Sequence, residues 1–103
     1  MTQISINNKT QTIGTSSALV SEEKRNPYSE RMRLILTNTS TGAQNITVSV
    51  DAEAVAGAGI MLYPGGSISW EKQTSLIPLQ QLRVNAISSA VGGTLAVYEE
   101  VKQ

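Results

Sequence analysis

The sequence predicts an all-β protein, a single antiparallel β-sandwich of jelly-roll or immunoglobulin-like type with about seven to nine short strands. Three observations predict it. Apolar residues recur at every second position in one segment after another. Turn-forming Gly, Pro, Asn and Ser fall between those segments. The polar positions are filled by Ser, Thr, Asn and Gln, and charged residues make up only 16% of the chain. That texture suits strands rather than exposed helices, which would be heavier in Glu, Lys and Leu. At 103 residues the chain holds one domain, 1–103, with material for one modest core.

The elements follow in order. Residues 1–20 are rich in Thr and Ser, with alternating Ile4 and Ile6 and then Ile13. They read as one or two edge strands and as a segment that contacts a partner. Residues 21–30 form the one charged, Pro-containing loop, with Glu22, Glu23, Lys24, Arg25 and Glu30 around Pro27 and Tyr28. Met32, Leu34 and Leu36 then alternate with Arg31, Arg33 and Ile35, giving one apolar and one mixed face. On this reading Arg31 and Arg33 point the same way, towards acids of a neighbour or as protection of a sheet edge. Asn38-Thr39-Ser40-Thr41-Gly42 is a turn of hairpin length before the next strand. There Ile46, Val48 and Val50 alternate with Asn45, Thr47 and Ser49. Residues 51–59 are richer in Ala and suggest a helical turn before the glycines. Pro64-Gly65-Gly66 places Pro second and Gly third in a type II turn. Behind it lie Ile68 and Trp70, then Leu82, Val84 and Ala86. Residues 88–93 join the last two strands, and Leu95, Val97 and Val101 share a face of the last. The expected interior is therefore Leu34, Leu36, Ile46, Val48, Val50, Ile68, Trp70, Leu82, Val84, Leu95 and Val97.

Composition excludes much chemistry. The net charge is zero and the pI about 6.2, which argues against nucleic acid or an anionic membrane as partner. There is no His and no Cys, hence no imidazole base, no thiolate and no disulfide, and no metal or cofactor is expected. The opening Met1-Thr2-Gln3-Ile4-Ser5 has neither the basic nor the apolar region of a signal peptide, and no apolar run is long enough to span a membrane. Glu99 and Glu100 are neighbours on a strand and point to opposite faces, so they cannot act as a glycosidase pair. Glu22 and Glu23 read as solvated surface. A Ser–Lys dyad through Lys9, Lys24, Lys72 or Lys102 is formally open, but no spacing recommends it. Asp51 and Glu53 fall short of a calcium loop and read as a capped turn. Gly57-Ala58-Gly59 lacks the rest of a dinucleotide fingerprint. The sequons at Asn38 and Asn45 matter only in a secreted eukaryotic protein. Trp70, beside Ile68 on one strand face, reads as core rather than as a sugar platform.

The run from residue 26 to residue 101 has a recognisable order. Asn26-Pro27 leads to the Arg-rich strand Arg31-Met32-Arg33-Leu34-Ile35-Leu36 and the turn Asn38-Thr39-Ser40. A Val/Ile strand and an Ala/Gly-rich link reach Gly59-Ile60-Met61-Leu62. Pro64-Gly65-Gly66-Ser67-Ile68-Ser69-Trp70 follows, and the chain closes on Thr94-Leu95-Ala96-Val97-Tyr98-Glu99-Glu100. It resembles the small β-sandwich virion proteins of tailed bacteriophages, the capsid decoration (cement) proteins and head-fibre anchoring domains. The resemblance implies a non-enzymatic structural role at the capsid surface, in a protein made in the bacterial cytoplasm. Its partners would be the major capsid protein or other virion proteins, met in repeated copies or as a homo-oligomer, and it carries over no catalytic residue. The candidate partner-binding residues are Ile4, Ile6, Ile13, Glu22, Glu23, Lys24, Arg25, Tyr28, Arg31 and Arg33. The alternative is a carbohydrate-binding or adhesin-type module, which would expose Trp70 or at least two Tyr in a shallow groove.

Overall fold

The computed structural model describes residues 3–22, 25–26, 29–71 and 82–102. Among them are nine strands and no helix: β1 (Ile4–Ile13), β2 (Ala18–Ser21), β3 (Arg25–Asn26), β4 (Ser29–Asn38), β5 (Ile46–Val50), β6 (Ile60–Leu62), β7 (Ser67–Glu71), β8 (Val84–Ser88) and β9 (Gly93–Lys102). One sheet runs β1-β9-β4, with both β7 and the two-residue β3 pairing along the far side of β4; the second runs β2-β8-β5-β6. All pairings between named strands are antiparallel. With β3 set aside, two interleaved four-stranded sheets in this order make a jelly roll.

The sheets pack face to face because each offers an apolar row. Ile13, Leu34, Leu36, Trp70, Leu95 and Val97 from the first sheet meet Val20, Ile46, Val48, Leu62, Val84 and Ala86 from the second. Every residue of the expected interior but Leu82 is in or against this core, with Val50 and Ile68 partly buried at its rim; Leu82 is buried outside it. Ile13 is a correction. Expected on a partner-contacting segment, it is 0% exposed, because β1 pairs with β9 over its whole length and Ile13, opposite Gly93, ends that ladder over the core.

The connections also differ from the reading of the sequence. Residues 39–45 have hairpin length, yet they carry the chain from β4 in the first sheet to β5 in the second. Asn38, at the end of β4, holds this corner: its Nδ2 donates to the carbonyls of Gln44 (2.9 Å) and Leu62 (2.8 Å), and its Oδ1 accepts from Ser40 N–H at 3.0 Å. The Pro64-Gly65-Gly66 turn is of the expected kind, with Gly65 at φ +86° and Gly66 N–H bonded to the Tyr63 carbonyl at 2.7 Å. It too crosses between sheets, from β6 to β7. The helical turn expected in residues 51–59 is absent. In its place a tight turn closed by the Val55↔Ala58 bridge lies over the outer face of the second sheet. Gly57 N–H donates to Thr47 Oγ1, Asn85 Nδ2 donates to the Ala52 carbonyl, and Ala54 is buried. Gly59, at φ +145°, sits so close to β5 that a Cβ there would lie 2.8 Å from the Val48 carbonyl oxygen.

Candidate functional site

A bulge in β4 decides where its two arginines go. Opposite β9, Arg31 pairs with Val101 and Arg33 with Glu100, two steps on one strand against one on the other. Such an extra residue shifts the alternation of everything beyond it. Arg33 therefore stays on the outer face, while Arg31 turns inward and is 0% exposed. Arg31 and Arg33 do not point the same way, and Arg31 is no surface contact. Met32, the extra residue, is only half-buried.

Inside, Arg31 Nη1 donates to Ser21 Oγ (2.6 Å) and to the Glu22 carbonyl (2.8 Å), and Nη2 donates to the Leu82 carbonyl. Ser21 Oγ in turn donates to Glu99 Oε2 at 2.6 Å, and Glu99 lies 3.6 Å from the guanidinium. Burial lowers the pKa of Arg31, and the charge and hydrogen bonding of Glu99 oppose that shift. This Ser–Glu contact is not a nucleophile with its base. The arginine donates into the serine oxygen and so occupies a lone pair that a nucleophile would use. The cluster ties β2, β4, β9 and the residues around Leu82 together.

Beside it a groove of about 530 Å³ runs between β1 and β2, walled by Asn7, Lys9, Leu19, Val20 and Ser21, with Val97 and Glu99 also lining it. Two long side chains of β1 cross to β2: Lys9 Nζ donates to the Val20 carbonyl (3.1 Å) and Gln11 Nε2 to the Leu19 carbonyl (3.0 Å). Lys9, formally open as a partner of a serine, is engaged here with backbone.

Among the described residues, no segment bonds across the outer face of the first sheet. Ile4 and Ile6 lie there, 51% and 58% exposed, opposite Lys102 and Glu100. Arg33 reaches Glu71 (3.3 Å) and Glu100 (3.7 Å), and Tyr98 O–H donates to Glu100 Oε2 at 2.8 Å. That hydrogen bond, with burial and the carboxylate's charge, raises the Tyr98 pKa, and Arg33 opposes it. A shallow concavity lined by Asn8, Thr10, Ile35, Thr37, Ala96 and Tyr98 occupies the middle of the face. Of the three aromatics among the described residues only Tyr98 lines it; Trp70 is 8% exposed in the core, and Tyr63 lies exposed in the loop after β6.

Of the candidate contacts, Ile4, Ile6 and Arg33 thus share one face. Glu22 is exposed at the end of β2. Arg25 lies in β3, its backbone paired with Glu30. Glu23, Lys24 and Tyr28 lie outside the described residues. Ser21 and Glu99 were missed as partners of Arg31. The adjacent Glu99 and Glu100, one pointing in and one out, were the signal that could have found them. Among the described residues no three Asp or Glu side chains gather as a metal site.

Neither a family model nor a curated protein matches the sequence. Two solved structures align with the chain. A chain of the acidic stable capsid of Helicobacter pylori bacteriophage KHP30 aligns with a TM-score of 0.42 at 10% identity, covering 100% of this chain and 94% of that one. A chain of the Bacillus endospore appendages, which form a family of disulfide-linked pili, aligns with a TM-score of 0.65 at 14% identity, over 98% of this chain and 86% of the other; this protein has the same fold.

Proposed function

We propose that the protein is a non-enzymatic structural protein of a bacteriophage virion, bound to the capsid surface as a decoration protein or head-fibre adaptor. The observation that carries a docking role is the asymmetry of the two sheets. Residues 51–59 cover the second sheet over Thr47 and Asn85, leaving Leu19 and Met61 exposed at its flanks, whereas among the described residues no segment bonds across the polar outer face of the first, where Ile4 and Ile6 are exposed. The virion is supported by the likeness of residues 26–101 to phage decoration and head-fibre proteins. Ile4, Ile6 and Arg33 form the centre of the contact, and Glu22, Glu23, Lys24, Arg25 and Tyr28 are proposed from the sequence alone as further polar contacts. Each contact is weak, and repetition over a capsid supplies avidity. The burial of Trp70, and a concavity that among the described residues holds one Tyr, speak against the carbohydrate-binding alternative.

Electron microscopy of the assembled particle tests this reading. Repeated copies on the outer capsid surface, with the first sheet turned towards a virion protein, are the expected result. Particles that lack the protein, or copies held through residues 51–59, would overturn it.

A further inference from the structure

A sandwich of two sheets has exposed edge strands at its ends, and strand edges with free N–H and C=O groups invite pairing unless they are blunted. Among the described residues, three of the edge strands here are short or covered. β6 has three residues and β7 five, the latter ending on the exposed Glu71. β2 has four, its pairing is bulged between Leu19 and Ser21, and Lys9 and Gln11 occupy its carbonyls. β1 differs on every count. It runs ten residues in unbroken register with β9, contains no Pro, and pairs on one side only. Its one charge, Lys9, is turned inward to Val20 and does not guard the edge. Among the described residues that leaves an unpaired edge about 34 Å long.

We propose that β1 pairs antiparallel with β1 of a second copy of this chain, about a two-fold axis through Asn8. This deepens the reading of the protein as a repeated structural subunit by naming its partner, and its test needs no virion. Register and charge select the partner. For the two outer faces to remain on one side, residues of like parity must oppose each other. With the axis at Asn8, Ile4 meets Thr12 and Ile6 meets Thr10 on the outer face. Ser5 meets Gln11 and Asn7 meets Lys9 on the other. β-Branched side chains thus face β-branched ones, the pairing strands favour. An axis at Lys9 sets two ammonium groups against each other, and one at Asn7 shortens the ladder to residues 4–10. With no acidic residue in β1 and Lys9 already engaged, the edge does not select a charged partner strand. A second β1 matches its neutral, β-branched pattern. The contact buries little area, so the dimer is weak alone. Since the chain has no cysteine, no disulfide links its copies.

Sedimentation of the parent protein over a concentration series is expected to show a monomer–dimer equilibrium. Asn8→Lys, an exposed change on the axis, is expected to weaken it about fivefold. In a chain without other thiols, Asn8→Cys is expected to cross-link to its own copy under mild oxidation, because paired Cα atoms about 4.5–5.5 Å apart suit a disulfide. Thr12→Cys is expected not to, its mate lying about 27 Å away along the strands. It should instead cross-link when mixed with Ile4→Cys. A parent that stays monomeric, or equal cross-linking at positions 8 and 12, overturns the inference. A dimer that fails to bind phage particles leaves this inference standing and removes the virion reading; a strict monomer that binds them does the reverse.

Discussion

Arg31 is the residue that the alternation of β4 assigns to the surface and the fold places inside. Met32, Leu34 and Leu36 give an uninterrupted period of two, and nothing in residues 31–36 marks the extra residue opposite β9. Bulges depend on the partner strand, so a single strand's pattern cannot show them. What can be read is the count, two arginines on β4 and two glutamates on β9, sorted one pair inward and one outward. Removing one partner of a buried pair costs about 3–5 kcal/mol, whereas replacing both with apolar groups is often nearly neutral. Arg31→Met is therefore expected to cost about 3 kcal/mol, the lower end, since Glu99 keeps some contact with water. Adding Glu99→Met should restore at least half, read from urea midpoints; a double variant no more stable than the single would show that the charges do not act as a pair. On the outer face the Tyr98 pKa lies above its ordinary value of 10.0. The folded state thus holds this proton more tightly than the unfolded chain. The resulting stability is complete below pH 10 and is lost as pH rises through the raised folded value. The melting temperature of the parent should accordingly fall more steeply above pH 10 than that of Tyr98→Phe. A gap between the two that stays constant with pH would rule this out.

At the scale of elements, strands were legible and their partners were not. The strands centred on Ile46 to Val50, on Ile68 and Trp70 and on Leu95 and Val97 announce themselves by alternation, and all lie where the pattern puts them. The turns show only their length and chemistry. A connection such as residues 39–45 serves equally for a hairpin or for a corner between sheets, and the choice lies in contacts distant in sequence. Asn38 makes that choice visible, because its amide joins the corner to Leu62 on the far sheet. It is fully buried, so Asn38→Ala strands the Ser40 N–H and two carbonyls at once. The expected cost is about 3 kcal/mol, near the upper range for a buried group left without its partner. Asn38→Asp should cost as much or more, since it adds a buried charge and loses the donor. Thermal unfolding measures both, and a loss below about 1 kcal/mol would mean that the corner is held elsewhere. Residues 51–59 teach the same lesson. Their alanines fit a helical turn by propensity, yet the segment must cover Thr47 and Asn85, and that packing overrides a weak local preference.

The whole molecule is a slab, 44 × 24 × 18 Å, so its broad faces dominate what a neighbour can touch. One is covered over Thr47 and Asn85 by residues 51–59, through bonds to Thr47, Asn85 and Ser17, with Leu19 and Met61 left exposed beside them. The other carries the Arg33, Glu71, Glu100 and Tyr98 cluster with Ile4 and Ile6 beside it, and ends in the bare edge of β1. A loop closed over a face cannot also receive a partner without giving up its own hydrogen bonds, whereas the open face and free edge lose only water. Hydrogen exchange separates these cases. In the free protein the β1 amides that point away from β9 have no partner among the described residues and should exchange fast, while those directed into the β9 ladder should be slow. On assembly the fast set should slow, and amides of residues 52–59 should keep their free rates. Slowing confined to residues 52–59, with β1 unchanged, would move the docking surface to the second sheet and leave Ile4 and Ile6 as exposed side chains without a function.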